Sequence, residues 1–285
     1  MSPFSPHRGE NPEGGREASF LATMAARSWQ RAEEAAARRS SERRRETVLS
    51  GSRPRSIGSF GSVFDVIAEV KPRSPSEGDF PERPPAETAI GYEAGGAAMI
   101  SVLTEPSEFG GSIDMLRAVA ADVSIPVLAK DFLVDPIQVY EAREAGADGV
   151  LVIARILSDE AMIQILDAVS DSGVFALLEA FDGEDLTRIR EAVSGRENLI
   201  AGVNCRDLDT LEVVPARHAA LASQIPGDHV TVAESAMRTS SDVERVAAHG
   251  YRAALVGSAL MRADDPGLLV SEMVEAGRRV VTVPS

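Results

Sequence analysis

The basic residues of this chain divide unevenly: of 29 Lys and Arg, only two are lysines, Lys71 and Lys130. Arginine stays protonated at every relevant pH and cannot give up a proton, whereas burial can lower a lysine's pKa toward neutrality and let it act as an acid. Each lysine stands at the C-terminal tip of a short apolar run, Lys71 after Val66–Val70 and Lys130 at the end of Val127–Lys130. Glu69 precedes Lys71 by two residues, so in an extended strand the two share one face and can pair inside the fold. Other polar groups close later runs: Glu179 behind Leu177-Leu178 as a candidate general base, Asn204 and Arg206 after the sixth run, Glu234 and Ser235 after the seventh. Carboxylates and lysines gathered in one pocket perturb one another's pKa values, and such a pocket can run acid and base steps together.

Bringing these groups together requires the tips of the runs to converge. Eight runs recur roughly every 22 to 33 residues with amphipathic stretches between them: Val66–Val70, Met99–Leu103, Val127–Lys130, Gly149–Ile153, Phe175–Leu178, Ile200–Asn204, Val230–Ala233 and Ala254–Val256. Residues apolar at successive positions suit parallel strands covered on both faces, and pairs such as Gly146-Ala147 fall where a helix ends and the next strand begins. The series predicts an α/β fold, a closed (β/α)₈ TIM barrel with an additional N-terminal helix, ahead of an open doubly wound sheet. In that barrel the active site lies on the face where the named polar groups fall, and the loops after strands seven and eight often bind phosphate. Gly257-Ser258, after the eighth run, is the candidate phosphate turn.

The 285 residues, 44% of them hydrophobic, suffice for one such barrel. Residues 1–19, rich in Pro, Gly, Glu and Ser, read as a flexible leader, and 20–62 as a helix from Phe20 to about Leu49 with a connector. Residues 63–285 make the barrel. No apolar run reaches the length of about 18 residues that a membrane helix needs, and Glu10, Glu13 and Glu17 are unlike a signal peptide, so a cytoplasmic protein is expected. A formal net charge of −15 argues against nucleic acid and anionic membranes as partners. The charge is uneven: Met1–Phe60 holds 11 Arg against 7 Glu, leaving −19 on the remainder, so an anionic ligand must be held by local groups. A lone Cys205 and four scattered histidines exclude an internal disulfide and give no metal spacing, so no metal or cofactor is expected.

Taken together, several spaced segments resemble the indole-3-glycerol-phosphate synthase family: Ile67-Ala68-Glu69-Val70-Lys71 with Ser74-Pro75-Ser76-x-Gly78, Ser101-Val102-Leu103-Thr104-Glu105 with Phe109, and Pro126-Val127-Leu128-x-Lys130-Asp131-Phe132. The likeness continues through Leu178-Glu179, Gly202-Val203-Asn204-x-Arg206-x-Leu208, Glu234-Ser235 and Leu255-Val256-Gly257-x-Ala259-Leu260-Met261, covering about Ile67 to Pro266. The resemblance implies a cofactor-free carboxy-lyase of tryptophan biosynthesis that closes the indole ring of 1-(2-carboxyphenylamino)-1-deoxyribulose 5-phosphate with loss of carbon dioxide and water. It implies Lys130 as general acid, Lys71 holding the aromatic carboxylate and able to supply a proton for dehydration, Glu179 as general base, and Glu69 and Asn204 as orienting groups. Ser235, Gly257 and Ser258 with Arg206 would grip the phosphate, near Ser74 and Glu234, while Phe109, Phe132, Leu151 and Leu208 would shape the pocket for the aromatic ring. The family's N-terminal helix covers the catalytic mouth.

Three positions depart from the family pattern: Ala236 stands where Gly is usual, Phe181 where His is frequent, and Cys205 where a second Asn is common. Strand alternation turns Cys205 away from the site as a packing residue. A negative φ is expected at Ala236, the methyl merely narrowing the space beside the phosphate. Two other readings remain: a specialised paralogue in another indole pathway, because the first 60 residues match poorly, and a non-catalytic homologue that binds the phosphate ligand. Phosphoribosylanthranilate isomerase or another phosphosugar barrel would share the phosphate site but not the paired lysines with Glu69 and Glu179. The expected partner is the small-molecule substrate alone, bound by a monomer or weak homo-oligomer.

Overall fold

The computed structural model describes residues 19–225 and 229–281. The expected flexible leader, up to residue 18, lies outside the described residues. Eight parallel strands close into a barrel: β1 (Asp65–Val70), β2 (Met99–Leu103), β3 (Val127–Lys130), β4 (Gly149–Ile153), β5 (Phe175–Ala180), β6 (Leu199–Asn204), β7 (Thr231–Glu234) and β8 (Ala253–Val256). Strand β1 pairs with β2 on one side, where Glu69 faces Ser101, and with β8 on the other, where Ala68 faces Val256. Apart from the half-buried Lys130, every strand residue is buried, because one side faces the barrel interior and the other the ring of helices.

Two strand ends run further than the apolar runs suggest. Glu179, Ala180 and Glu234 are ladder residues: Glu179 faces Gly202 and Glu234 faces Leu255, so both carboxylates project from regular strand positions. A run judged by apolar side chains stops at a Glu, whereas backbone pairing ignores the side chain. A two-residue antiparallel pair, Arg73–Ser74 with Gly78–Asp79, was not foreseen; it folds the segment after β1 back over the mouth.

The stretch expected as one helix from Phe20 to Leu49 is two, α1 (Phe20–Arg38) and α2 (Ser41–Ser50). Arg39 is extended, and the Ser40 side chain caps α2 by accepting from the Arg43 N–H at 3.5 Å, the local competition by which Ser ends one helix and starts the next. Arg44 fixes α2 to the barrel wall, with ion pairs of 3.1 Å to Glu141 and 2.5 Å to Glu144. Helix α1 lies at the catalytic end: Arg31 reaches Asp131 at 2.5 Å and the buried Glu105 at 3.6 Å, and Arg27 reaches Glu108 at 2.7 Å. Its first residue, Phe20, packs edge-on against Phe132 with centroids 6.2 Å apart.

Candidate active site

The strand tips enclose a cavity of about 760 Å³, and the polar groups predicted from sequence gather around it. Glu69, on the inner face of β1, lies 2.7 Å from the Lys71 ammonium through one oxygen and 3.3 Å from Lys130 through the other. Burial alone would raise its pKa, but the two ammonium groups outweigh it and hold the carboxyl down at about 2. Burial pushes Lys130 down, yet Glu69, Glu179 and Glu234 together carry it above the ordinary lysine value. The expected lowering of the lysine pKa is therefore corrected for Lys130: three carboxylates converge on one ammonium, and their attraction exceeds the cost of desolvation.

Opposite the lysines, Glu179 and Glu234 form a buried pair. Burial raises both, Glu234 well above the usual carboxylate range because the neighbouring Glu179 charge adds to it. Neither Glu234 oxygen meets a hydrogen-bond donor from another residue, so burial and the neighbouring Glu179 charge both favour the protonated form of Glu234. Asn204 sets the geometry. Its Oδ1 accepts from the Arg206 backbone N–H at 2.9 Å and from the Ser235 hydroxyl at 2.8 Å, which turns its Nδ2 toward Glu179 at 3.2 Å.

Of the residues expected to bind substrate, Ser74, Phe109, Arg206, Leu208, Glu234, Gly257 and Ser258 line the cavity. Phe132 stands behind Phe109, centroids 6.1 Å apart, and supports the wall without lining it. Leu151 is corrected: it is buried mid-strand in β4, in register with Leu177, and does not reach the cavity. Glu179 is likewise no lining residue and joins the site through Asn204 and Glu234.

Two glycines carry more than turn geometry. A Cβ on Gly257 would fall 2.1 Å from Glu69 Oε1 and 2.9 Å from Lys71 Nζ, and one on Gly202 would fall 2.4 Å from Glu234 Oε1. Each leaves room for a carboxylate of the site, a role missed in sequence because it depends on which strands become neighbours. Phe80 was also missed. Lys71 lies over its ring at 5.5 Å and Arg262 at 4.9 Å, so the ring supports both cations. Among the described residues no group of three or more His, Cys, Asp or Glu side chains is placed to hold a metal ion.

The family model for indole-3-glycerol phosphate synthase matches residues 26–273. The chain belongs to the indole-3-glycerol phosphate synthase family. The synthase of Nocardioides sp. is 48% identical over 209 residues, 73% of this chain and 79% of the relative. That of Kineococcus radiotolerans is 46% identical over 213 residues, 74% of this chain and 76% of the relative. As a member of the indole-3-glycerol phosphate synthase family the chain is a carboxy-lyase of tryptophan biosynthesis. Two solved structures of low identity share the barrel fold with the chain. The 3-hexulose-6-phosphate synthase of Salmonella typhimurium superposes with a TM-score of 0.58 at 15% identity, covering 76% of this chain and 100% of that one. Thiamine phosphate pyrophosphorylase of Pyrococcus furiosus gives 0.56 at 15% identity, covering 78% and 98%.

The departures from the indole-3-glycerol phosphate synthase pattern fall differently from one another. Phe181 is buried away from the cavity beneath Arg155, 4.8 Å from ring centroid to guanidinium. Cys205 is fully buried, and burial pushes its thiol up to about 11, as suits a packing residue. Ala236 contradicts the expected negative φ: Ser235 and Ala236 have φ of 66° and 61°, both left-handed. The chain turns sharply off β7 there. The Glu234 carbonyl accepts from the Cys205 N–H at 3.2 Å and from His218 Nε2 at 3.1 Å, and the Ser235 hydroxyl is held by Asn204, so the surroundings enforce a conformation that alanine alone avoids.

Proposed function

We propose that this site closes and aromatises the pyrrole ring of 1-(2-carboxyphenylamino)-1-deoxyribulose 5-phosphate, giving indole-3-glycerol phosphate, carbon dioxide and water. The observation that carries the reading is Glu69 set between the only two lysines of the chain, facing the Glu179–Glu234 pair across one cavity. Lys71, at the rim, binds the aromatic carboxylate. The ring carbon bearing that carboxylate attacks the C2 carbonyl, and Lys130 gives its proton to the oxygen as negative charge develops there. A raised pKa suits this, because Lys130 stays charged until an alkoxide, a far stronger base, forms beside it.

Carbon dioxide then leaves with its bond electrons returning to the ring, which restores the benzene system. Lys71, freed of the carboxylate, protonates the new hydroxyl as it departs as water, and the proton from C1 that completes the pyrrole goes to the Glu179–Glu234 pair, with Glu179 as the base behind the cavity-lining Glu234. Glu69 holds both ammonium groups in place, and Asn204 aims Glu179. Phe109, Leu208 and Phe20 cover the aromatic ring with Phe132 behind them, while Ser235, Ser258 and Arg206 grip the phosphate, Gly257 admitting the close approach of Glu69. A water-soluble phosphosugar substrate fits a cytoplasmic enzyme.

The test is to supply the purified protein with this substrate and, separately, with phosphoribosylanthranilate, following indole absorbance. Indole forms only from the first if the reading holds. No absorbance from the first substrate overturns it.

A further inference from the structure

The segment after β1 carries an acidic residue into the proposed phosphate grip. Ser74-Pro75-Ser76-Glu77-Gly78 turns back at Gly78, whose φ is 72°, and is fastened across the mouth from both sides. Arg206, from the loop after β6, donates to Ser76 Oγ at 2.9 Å, and Arg262, from the helix Ser258–Arg262 after β8, donates to the Glu77 carbonyl at 3.0 Å. The Glu77 carboxylate stands among the same cations. One oxygen lies 3.4 Å from Arg262 Nε and the other 3.9 Å from Arg206 Nη2, and the Ser258 hydroxyl is close enough to help hold the carboxyl charged. Its side chain is 27% exposed and lines the cavity. Burial would raise its pKa, but Ser258, Arg262 and Lys71 hold it below the usual carboxylate value, so it is charged at neutral pH.

A carboxylate fixed on the groups that hold an anion must either yield its contacts or repel the newcomer. We propose that Glu77 is an affinity-determining residue of the phosphate site, a built-in anion that competes with the substrate phosphate for Arg206 and Ser258. The inference rests on the reading that these groups hold the phosphate. It explains what the acidic residue within the Ser-Pro-Ser-x-Gly segment does. With Glu77 in place the two arginines and the hydroxyl stay compensated and ordered, and a ligand must bring more charge than one carboxylate to displace it. Dianionic phosphate does, because its attraction to each arginine is about twice that of a carboxylate at the same distance.

Titration calorimetry of inorganic phosphate at pH 8 into the wild-type protein and into Glu77→Gln tests this, the amide keeping size and polarity while removing the charge. The expected result is binding about tenfold tighter in the variant, equivalent to about 1.4 kcal/mol. Equal or weaker phosphate binding in the variant overturns the competing role and leaves the grip standing. Absence of measurable phosphate binding by both proteins overturns the grip, and this inference with it.

Discussion

At the scale of single residues the site is a set of charges that cannot be changed independently. Lys130 is kept protonated chiefly by Glu69 and Glu179 beside it, and burial together with the Glu179 charge pushes Glu234 toward its protonated form. This has a pH signature. A carboxyl raised above its unfolded value near 4.5 contributes stability that is fully present below that pH and is lost as pH rises through the folded value. Glu234→Gln, neutral at every pH, escapes the loss. Its melting temperature relative to wild type is expected to climb between pH 4 and pH 8 while turnover falls. A melting difference that does not change with pH would show that Glu234 is not held protonated. The sequence disclosed which residues meet here, since lysines and carboxylates at strand tips are visible as types and spacings. It could not disclose the sign of the Lys130 shift, which is set by how many carboxylates arrive from other strands.

At the scale of elements, strand neighbours decide what each tip can hold. Gly257 at the end of β8 leaves the space that the Glu69 carboxylate and Lys71 ammonium occupy, so Gly257→Ala is expected to cut turnover by at least about 100-fold, the loss typical of a misplaced acid, in a protein that still folds. Near-normal turnover would mean that the Glu69–Lys71 pair tolerates displacement. At the end of β7 the opposite substitution applies. Ala236 already has φ of 61°, a conformation that costs a side-chain-bearing residue about 1–2 kcal/mol, part of which a glycine gives back through its freer unfolded chain. Ala236→Gly is expected to raise stability in urea by about 0.5–1 kcal/mol and leave turnover unchanged; a destabilised variant would remove the strain argument. The eight strands were legible because parallel strands bury both faces and so read as apolar runs. The left-handed turn at Ser235-Ala236 was not, because what enforces it, His218 and Cys205 on the Glu234 carbonyl, comes from elsewhere in the chain. Nor was the break at Ser40, where one side-chain oxygen outweighs good helix formers on both sides.

At the scale of the whole molecule, α1 ties the chain ahead of the barrel to the strand that carries Lys130. Among the described residues Arg31 is the sole ion-pair partner of Asp131, the residue after Lys130, and it also reaches the buried Glu105, so its loss leaves one buried and one partly buried carboxylate beside the catalytic mouth. Because Arg31 is itself partly exposed, Arg31→Met is expected to cost about 1–3 kcal/mol in denaturant unfolding, less than a fully buried pair, and to lower turnover as well. Wild-type stability and turnover together would show that α1 only rests on the barrel. The barrel sets the overall frame and its strand tips supply the groups, but one proton transfer carries the account. The direct measurement is turnover of 1-(2-carboxyphenylamino)-1-deoxyribulose 5-phosphate by wild type, Lys130→Met and Lys130→Arg, each verified as folded by circular dichroism. Both variants are expected to lose at least about 100-fold, methionine having no proton and arginine none to release. A variant that keeps more than about a third of wild-type turnover, when a positioned acid typically supplies about 100-fold or more, would contradict the assignment of Lys130 as the acid.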